Sequence, residues 1–146
     1  MMLSKDFKEF VELLNKNNVK YLVIDGYAVA LHGYPRYTKD LDYRIDLSLE
    51  NAESILKALE QFGFGSLDLD TDDFLAPDKI IQLGHPPNRI DLITTAKGLN
   101  FEECYKSRVK LEIQNIQIDF IDMENLKRNK RATGRPQDFA DLENLK

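Results

Sequence analysis

A chain of 146 residues, 42% hydrophobic and 31% charged, is long enough for one compact core and short for two, so a single domain over residues 1–146 is expected. With 20 basic against 25 acidic side chains the formal charge is −5, which excludes coating of nucleic acid by bulk electrostatics and confines any such contact to one face. The one cysteine, Cys104, excludes an internal disulfide, and no Cys/His cluster has zinc spacing; with no signal-peptide stretch and no apolar run of about 18 residues, a soluble, cytoplasmic protein without membrane association is expected.

In chain order, Leu3, Phe7, Phe10, Val11 and Leu14 recur at helical spacing behind Ser4, which predicts an amphipathic helix ending near Asn17. "KYLVI", Lys20 to Ile24, is an unbroken apolar run and reads as a strand buried on both faces. A turn at Gly26 follows, then a short helix in "YAVALHG" that ends at Gly33. "DLDYRIDL" alternates, with Leu41, Tyr43, Ile45 and Leu47 on one side and Asp40, Asp42, Arg44 and Asp46 on the other, which predicts a half-buried strand.

A second helix is expected with Ser48 as its cap, Ile55, Leu56, Leu59 and Phe62 as its apolar stripe, and Gly63 as its stop. The acidic segment "SLDLDTDDFLAPD" reads as a loop with one strand or helical turn. "KIIQLGH" and "RIDLIT" flank Pro86, Pro87 and Asn88 as a hairpin. A small helix around "NFEECYKSR" precedes a second hairpin, in which Leu111, Ile113, Ile116, Ile118 and Phe120 flank Gln114 and Asn115. The tail gives two closing helices broken at "TGRP". Helices interleaved with hairpins make this an α+β chain with a mixed sheet flanked by helices.

The chemistry concentrates on Asp40 and Asp42. Side chains two apart on a strand share a side, about 6–7 Å apart at their bases. At that distance and an effective dielectric of about 20, two carboxylates repel by roughly 3 kcal/mol. A divalent ion would relieve the repulsion, and Mg²⁺ takes carboxylate, water and phosphate oxygens. The bland alternative is a solvated strand face with Lys39 and Arg44 as partners. A third carboxylate on a later strand would complete a metal site; Asp91 in "NRIDLIT" and Asp119 in "IQIDFI" have the same local pattern, and spacing does not choose between them.

The segment Asp25-Gly26, then the thirteen residues Tyr27 to Lys39, then Asp40-Leu41-Asp42, resembles the glycine turn and Asp-x-Asp of minimal nucleotidyltransferases of the DNA polymerase β-like superfamily, especially stand-alone domains related to AbiEii toxins. "GYAVALHGYPRYTKDLD" and "ENLKRNKRATGRPQDFADLENL" carry the resemblance over most of the chain. It implies a nucleotidyltransferase, polymerase β palm-like fold and Mg²⁺-dependent transfer of a nucleoside monophosphate from a nucleoside triphosphate to a tRNA or protein hydroxyl, and among its implications is a toxin with an antitoxin partner. Asp40, Asp42 and Asp91 are then catalytic and metal-binding, with Asp91 favoured over Asp119. By the same resemblance Gly26 would let the backbone approach the triphosphate, and Thr38 or Tyr27 would add a hydroxyl donor.

Arg36, in the turn before the carboxylates, is a candidate for phosphate. The basic stretch Lys127, Arg128, Lys130, Arg131 and Arg135 offers either a triphosphate or RNA-backbone contact, through Lys130 and Arg131, or a solvated helix face. His32 and His85 stand without motif partners. Asp25 occupies the place of the family's first glycine, where it is a good helix cap but competes with phosphate for the same amides. Three outcomes stay open: an active transferase in which Asp25 turns aside, a weakened enzyme, or an inactive module that binds a nucleotide or partner.

Overall fold

The protein is described from a computed structural model over residues 5–24, 28, 31–32, 40–63, 68–84, 89–94 and 99–145, with the backbone alone at 40 and 41. Among these, six strands form one mixed sheet in the order β3-β4-β2-β1-β6-β5. β1 (Tyr21–Ile24) is antiparallel to β2 (Asp40–Ile45), while β2 runs parallel to β4 (Arg89–Ile93) and β1 parallel to β6 (Ile116–Phe120). The two hairpins close the edges, β3 (Ile80–Leu83) on β4 and β5 (Val109–Ile113) on β6.

Helices cover both faces. On one, α1 (Lys5–Lys16) lays Phe7, Phe10, Val11 and Leu14 against Tyr21, Val23, Tyr43, Ile45, Ile118 and Phe120, and α2 (Leu49–Phe62) adds Ala52, Ile55, Ala58 and Leu59. Phe10, Tyr21 and Tyr43 meet in tilted and edge-to-face contacts at 5.5–5.6 Å, so the aromatic centre of this core comes from the strands and α1 together. On the other face, Leu22 and Ile24 pack with Phe101 and Cys104 of α3 (Phe101–Lys106), Leu126 of α4 (Met123–Thr133) and Leu145 after α5 (Pro136–Asn144).

Local signals explain most boundaries. Ser48 accepts a hydrogen bond from the Asn51 amide, and Gly63 ends α2 at φ 104°, a left-handed conformation that a Cβ disfavours. Gln114 and Asn115 both have positive φ, 53° and 67°, as the tight β5–β6 turn requires. The acidic segment forms a single 3-10 turn, Thr71–Phe74, capped reciprocally by Asp70 and Asp73.

One expectation is corrected. β2 is not half-buried: it lies between β1 and β4, and Arg44, on the side read as solvent-facing, is only 6% exposed because α3 covers it.

Asn51 ties β1 and β2 to α2. Its Nδ2 donates to the carbonyls of Lys20 and Asp46 at 3.1 and 3.0 Å, and its Oδ1 accepts from the Lys20 amide at 2.7 Å. Asn51→Leu therefore strips three backbone groups of a side-chain partner and should cost about 2–3 kcal/mol. A lower urea midpoint with an unchanged slope is the result that checks this.

Candidate active site

The strand register assembles the carboxylates. In the parallel β2–β4 pair Asp42 is directly opposite Asp91, and Asp40 is opposite Arg89. Paired residues point to the same face, so Asp42, Arg89 and Asp91 belong to the face that carries α3 and α4. Neighbouring strands are about 4.8 Å apart, which makes Asp42 and Asp91 a like-charge pair of the destabilising kind unless a cation joins them.

Arg89 is such a cation. Its Nη2 donates to Asp91 Oδ2 at 3.3 Å, and its Nε lies 3.2 Å from Oδ1 in ion-pair contact without hydrogen-bond geometry. The Asp91 side chain is 9% exposed and that of Arg89 30%, so the anion is embedded while the cation reaches toward solvent.

Asp119, the rival third carboxylate, lies on the same face but on β6, with β1 between it and β2. It pairs with Arg108 at 3.3 Å and accepts from Gln117 at 3.3 Å. The structure thus brings Asp91, and not Asp119, to Asp42. Among the described residues no group of three His, Cys, Asp or Glu side chains could hold a metal ion; the Asp40 side chain is outside that set.

Arg44, two residues beyond Asp42, turns to the other end of the face. It donates to the Ile45 carbonyl, and its guanidinium stacks over the Phe101 ring at 5.3 Å. Burial pulls its pKa below the ordinary arginine value, with the Asp46 charge opposing. Cys104 is buried on this face, and burial raises its thiol, so it offers no ready nucleophile. His32 is fastened by a ring-nitrogen contact of 2.9 Å with the Ile121 carbonyl.

The basic stretch splits. Arg131 and Arg128 are exposed on α4, whereas Lys130 is 1% exposed, with its ammonium 3.3 Å from Asp138 Oδ1 and 3.1 Å from Asp141 Oδ2. Lys130 thus joins α4 to α5 in the interior and does not face a ligand. Gly26, Tyr27, Arg36 and Thr38, together with Asp25 and His85, lie outside the described residues.

Sequence reasoning missed Arg89. Arg-x-Asp has the same two-residue spacing as Asp-x-Asp, so Arg89 was bound to share the face of Asp91; what the sequence hides is which strand lies alongside.

No protein-family profile matches the chain, and no curated protein does. Solved structures do. A candidate nucleotidyltransferase from Thermotoga maritima aligns with a TM-score of 0.62 at 16% identity over 94% of this chain and 88% of its own. The lincosamide antibiotic adenylyltransferase LnuA, in its lincomycin-bound form, aligns with a TM-score of 0.58 at 17% identity over 99% and 96%. An antigenic nucleotidyltransferase-like protein from Paracoccidioides brasiliensis aligns with a TM-score of 0.55 at 16% identity over 96% and 72%.

Proposed function

We propose that this chain, built on the nucleotidyltransferase fold, moves a nucleoside monophosphate from a nucleoside triphosphate to an acceptor hydroxyl, with Asp40, Asp42 and Asp91 as its catalytic and metal-binding residues. The observation that carries this reading is the register of β2 and β4, with Asp42 opposite Asp91 and the Asp40 backbone two residues before Asp42 on the same strand. Hard carboxylate oxygens on adjacent strands suit Mg²⁺, and the guanidinium already drawn onto Asp91 marks a spot that needs a cation.

Bound there, Mg²⁺ would neutralise triphosphate charge and stabilise the attacking and leaving oxygens of an in-line displacement. The chain's own part is positioning. Central strands fix the carboxylates, and Asp91 takes the proton of the acceptor hydroxyl as its oxygen bonds to the α-phosphorus and pyrophosphate leaves. Gly26, Tyr27, Arg36 and Thr38, in the connection from β1 to β2, are assigned to the triphosphate because that connection delivers the chain to Asp40. Exposed Arg131 is assigned to the backbone of an RNA acceptor. Lys130 is left with the interior role its two carboxylates give it.

The AbiEii resemblance favours a tRNA or protein hydroxyl as acceptor and a toxin held by an antitoxin partner. LnuA is an adenylyltransferase of a lincosamide antibiotic, so a small hydroxylated molecule is a further arm of the acceptor screen. A second reading, a module that binds without transferring, is favoured by Asp25 at the place of the family's first glycine.

Calorimetry with each nucleoside triphosphate, with and without Mg²⁺, tests the binding step. Heat that needs Mg²⁺ and disappears in Asp42→Asn is the expected result. No heat with any nucleotide would sink both readings.

A further inference from the structure

Two arginine–aspartate pairs lie on the α3–α4 face of the sheet, and they differ in company. Arg108 stands 3.3 Å from Asp119, caps the Tyr105 ring at 3.9 Å and donates to the Tyr105 carbonyl at 2.8 Å; the strand partner of Asp119 is Lys110. That pair is held on several sides, with basic groups around a single carboxylate. Arg89 and Asp91 have the opposite setting, since the strand partner of Asp91 is Asp42 and that of Arg89 is Asp40.

Resting on the reading above, we propose that Arg89 is the built-in counter-cation of the metal site: it holds Asp91 in the metal-free protein and must leave it when a divalent cation binds. The argument is one of shared oxygens. Nη2 donates to Oδ2 and Nε lies 3.2 Å from Oδ1 in ion-pair contact, so the guanidinium stands against both oxygens through which Asp91 would ligate a metal ion. A metal ion and a guanidinium repel each other and compete for the same lone pairs.

The exposures say which one yields. Asp91, at 9%, is embedded in the sheet, while Arg89, at 30%, is long and partly solvated and can swing out. Arg89 sets its positive charge beside the facing carboxylates of Asp42 and Asp91, which makes the guanidinium a stabiliser of the apo state at the expense of metal affinity. The metal therefore enters best together with an anion, because a phosphate gives the released guanidinium a new partner.

The test uses Mn²⁺ alone, followed by electron paramagnetic resonance or calorimetry on the wild type, Arg89→Gln, Arg89→Lys, Arg108→Gln and Asp42→Asn. Arg89→Gln should bind Mn²⁺ about tenfold tighter than the wild type, the weight of one charge-assisted pair. Arg89→Lys, which keeps the charge but not the planar guanidinium against both oxygens, should fall between them. Arg108→Gln should match the wild type, and Asp42→Asn should lose binding. Metal-free Arg89→Gln should also melt below the wild type and recover on adding Mn²⁺.

Equal or weaker Mn²⁺ binding in Arg89→Gln, with wild-type binding still dependent on Asp42, overturns the role of Arg89 and leaves the transferase reading standing. No Asp42-dependent binding in any variant overturns both. If Arg89→Gln does not fold, Arg89→Lys decides: tighter binding than the wild type supports the role, and unchanged binding overturns it.

Discussion

Asp42→Asn should lower the rate of nucleotidyl transfer at least about a thousandfold while leaving the fold intact, because a metal-stabilised charge is worth several kcal/mol at the transition state. The substitution keeps the shape of a side chain in the middle of a central strand and removes only its charge. Asp119→Asn is the contrast: it weakens the pair with Arg108 and lowers thermal stability, yet should leave the rate of the folded protein unchanged, because β1 separates Asp119 from β2. Transfer that survives Asp42→Asn, or that falls equally in Asp119→Asn, would contradict the site.

The second large effect is on stability. Lys130→Met should cost about 3–5 kcal/mol, since it leaves two fully buried carboxylates without their shared ammonium. For a chain of this length that lowers the melting temperature by roughly 10 °C, which differential scanning calorimetry would register. The network around Asp138 explains the severity. Besides Lys130, Asp138 accepts from the Thr133 hydroxyl at 2.6 Å, from the Arg135 amide at 3.0 Å, and from Arg135 Nε and Nη2 at 2.8 and 3.1 Å. A melting point within a degree or two of the wild type would show that the ammonium is not what joins α4 to α5.

The same network sets an acid limit. Burial pushes the Asp138 carboxyl up, but the hydrogen bonds from Arg135 and Thr133 and the Lys130 charge outweigh it and hold its pKa far below the usual carboxylate range. A depressed folded-state pKa means that the folded protein binds the proton less readily than the unfolded chain. This contribution is therefore complete above about pH 4, the unfolded value, and is lost as the pH falls below it. Urea midpoints should thus show no loss from Asp138 between neutral pH and about pH 5, and a decline below about pH 4. Asp138→Asn, which cannot titrate, should start less stable and lose less on acidification.

Much of the order of elements was legible because these boundaries carry a local cause: Ser48 and Gly63 bound α2, and Gly134 at φ 61° followed by Pro136 separates α4 from α5. The burial of β2 was not legible. A period of two in "DLDYRIDL" says only that two faces differ, and the covering of the second by α3 is a tertiary fact that Arg44 tolerates through Phe101 and the Ile45 carbonyl. The choice between Asp91 and Asp119 likewise needed the strand order, because their local sequences are alike. In sequence Lys130 reads as part of a basic stretch that either contacts phosphate or is solvated, for nothing in composition marks a lysine whose partners come from the next helix. Its eight-residue distance to Asp138, across the turn at Gly134, is the signal that a hairpin of two helices would bring them together.

The central claim is that the carboxylates on β2 and β4 serve transfer of a nucleoside monophosphate, and nucleoside triphosphates radiolabelled at the α-phosphorus test it most directly. Incubated with Mg²⁺ and with RNA, protein or small hydroxylated acceptors, the wild type should move the α-label onto an acceptor and release one pyrophosphate per transfer, and Asp42→Asn should do neither. Label that reaches no acceptor with any nucleotide, or that transfers only from the γ-position, would contradict the account.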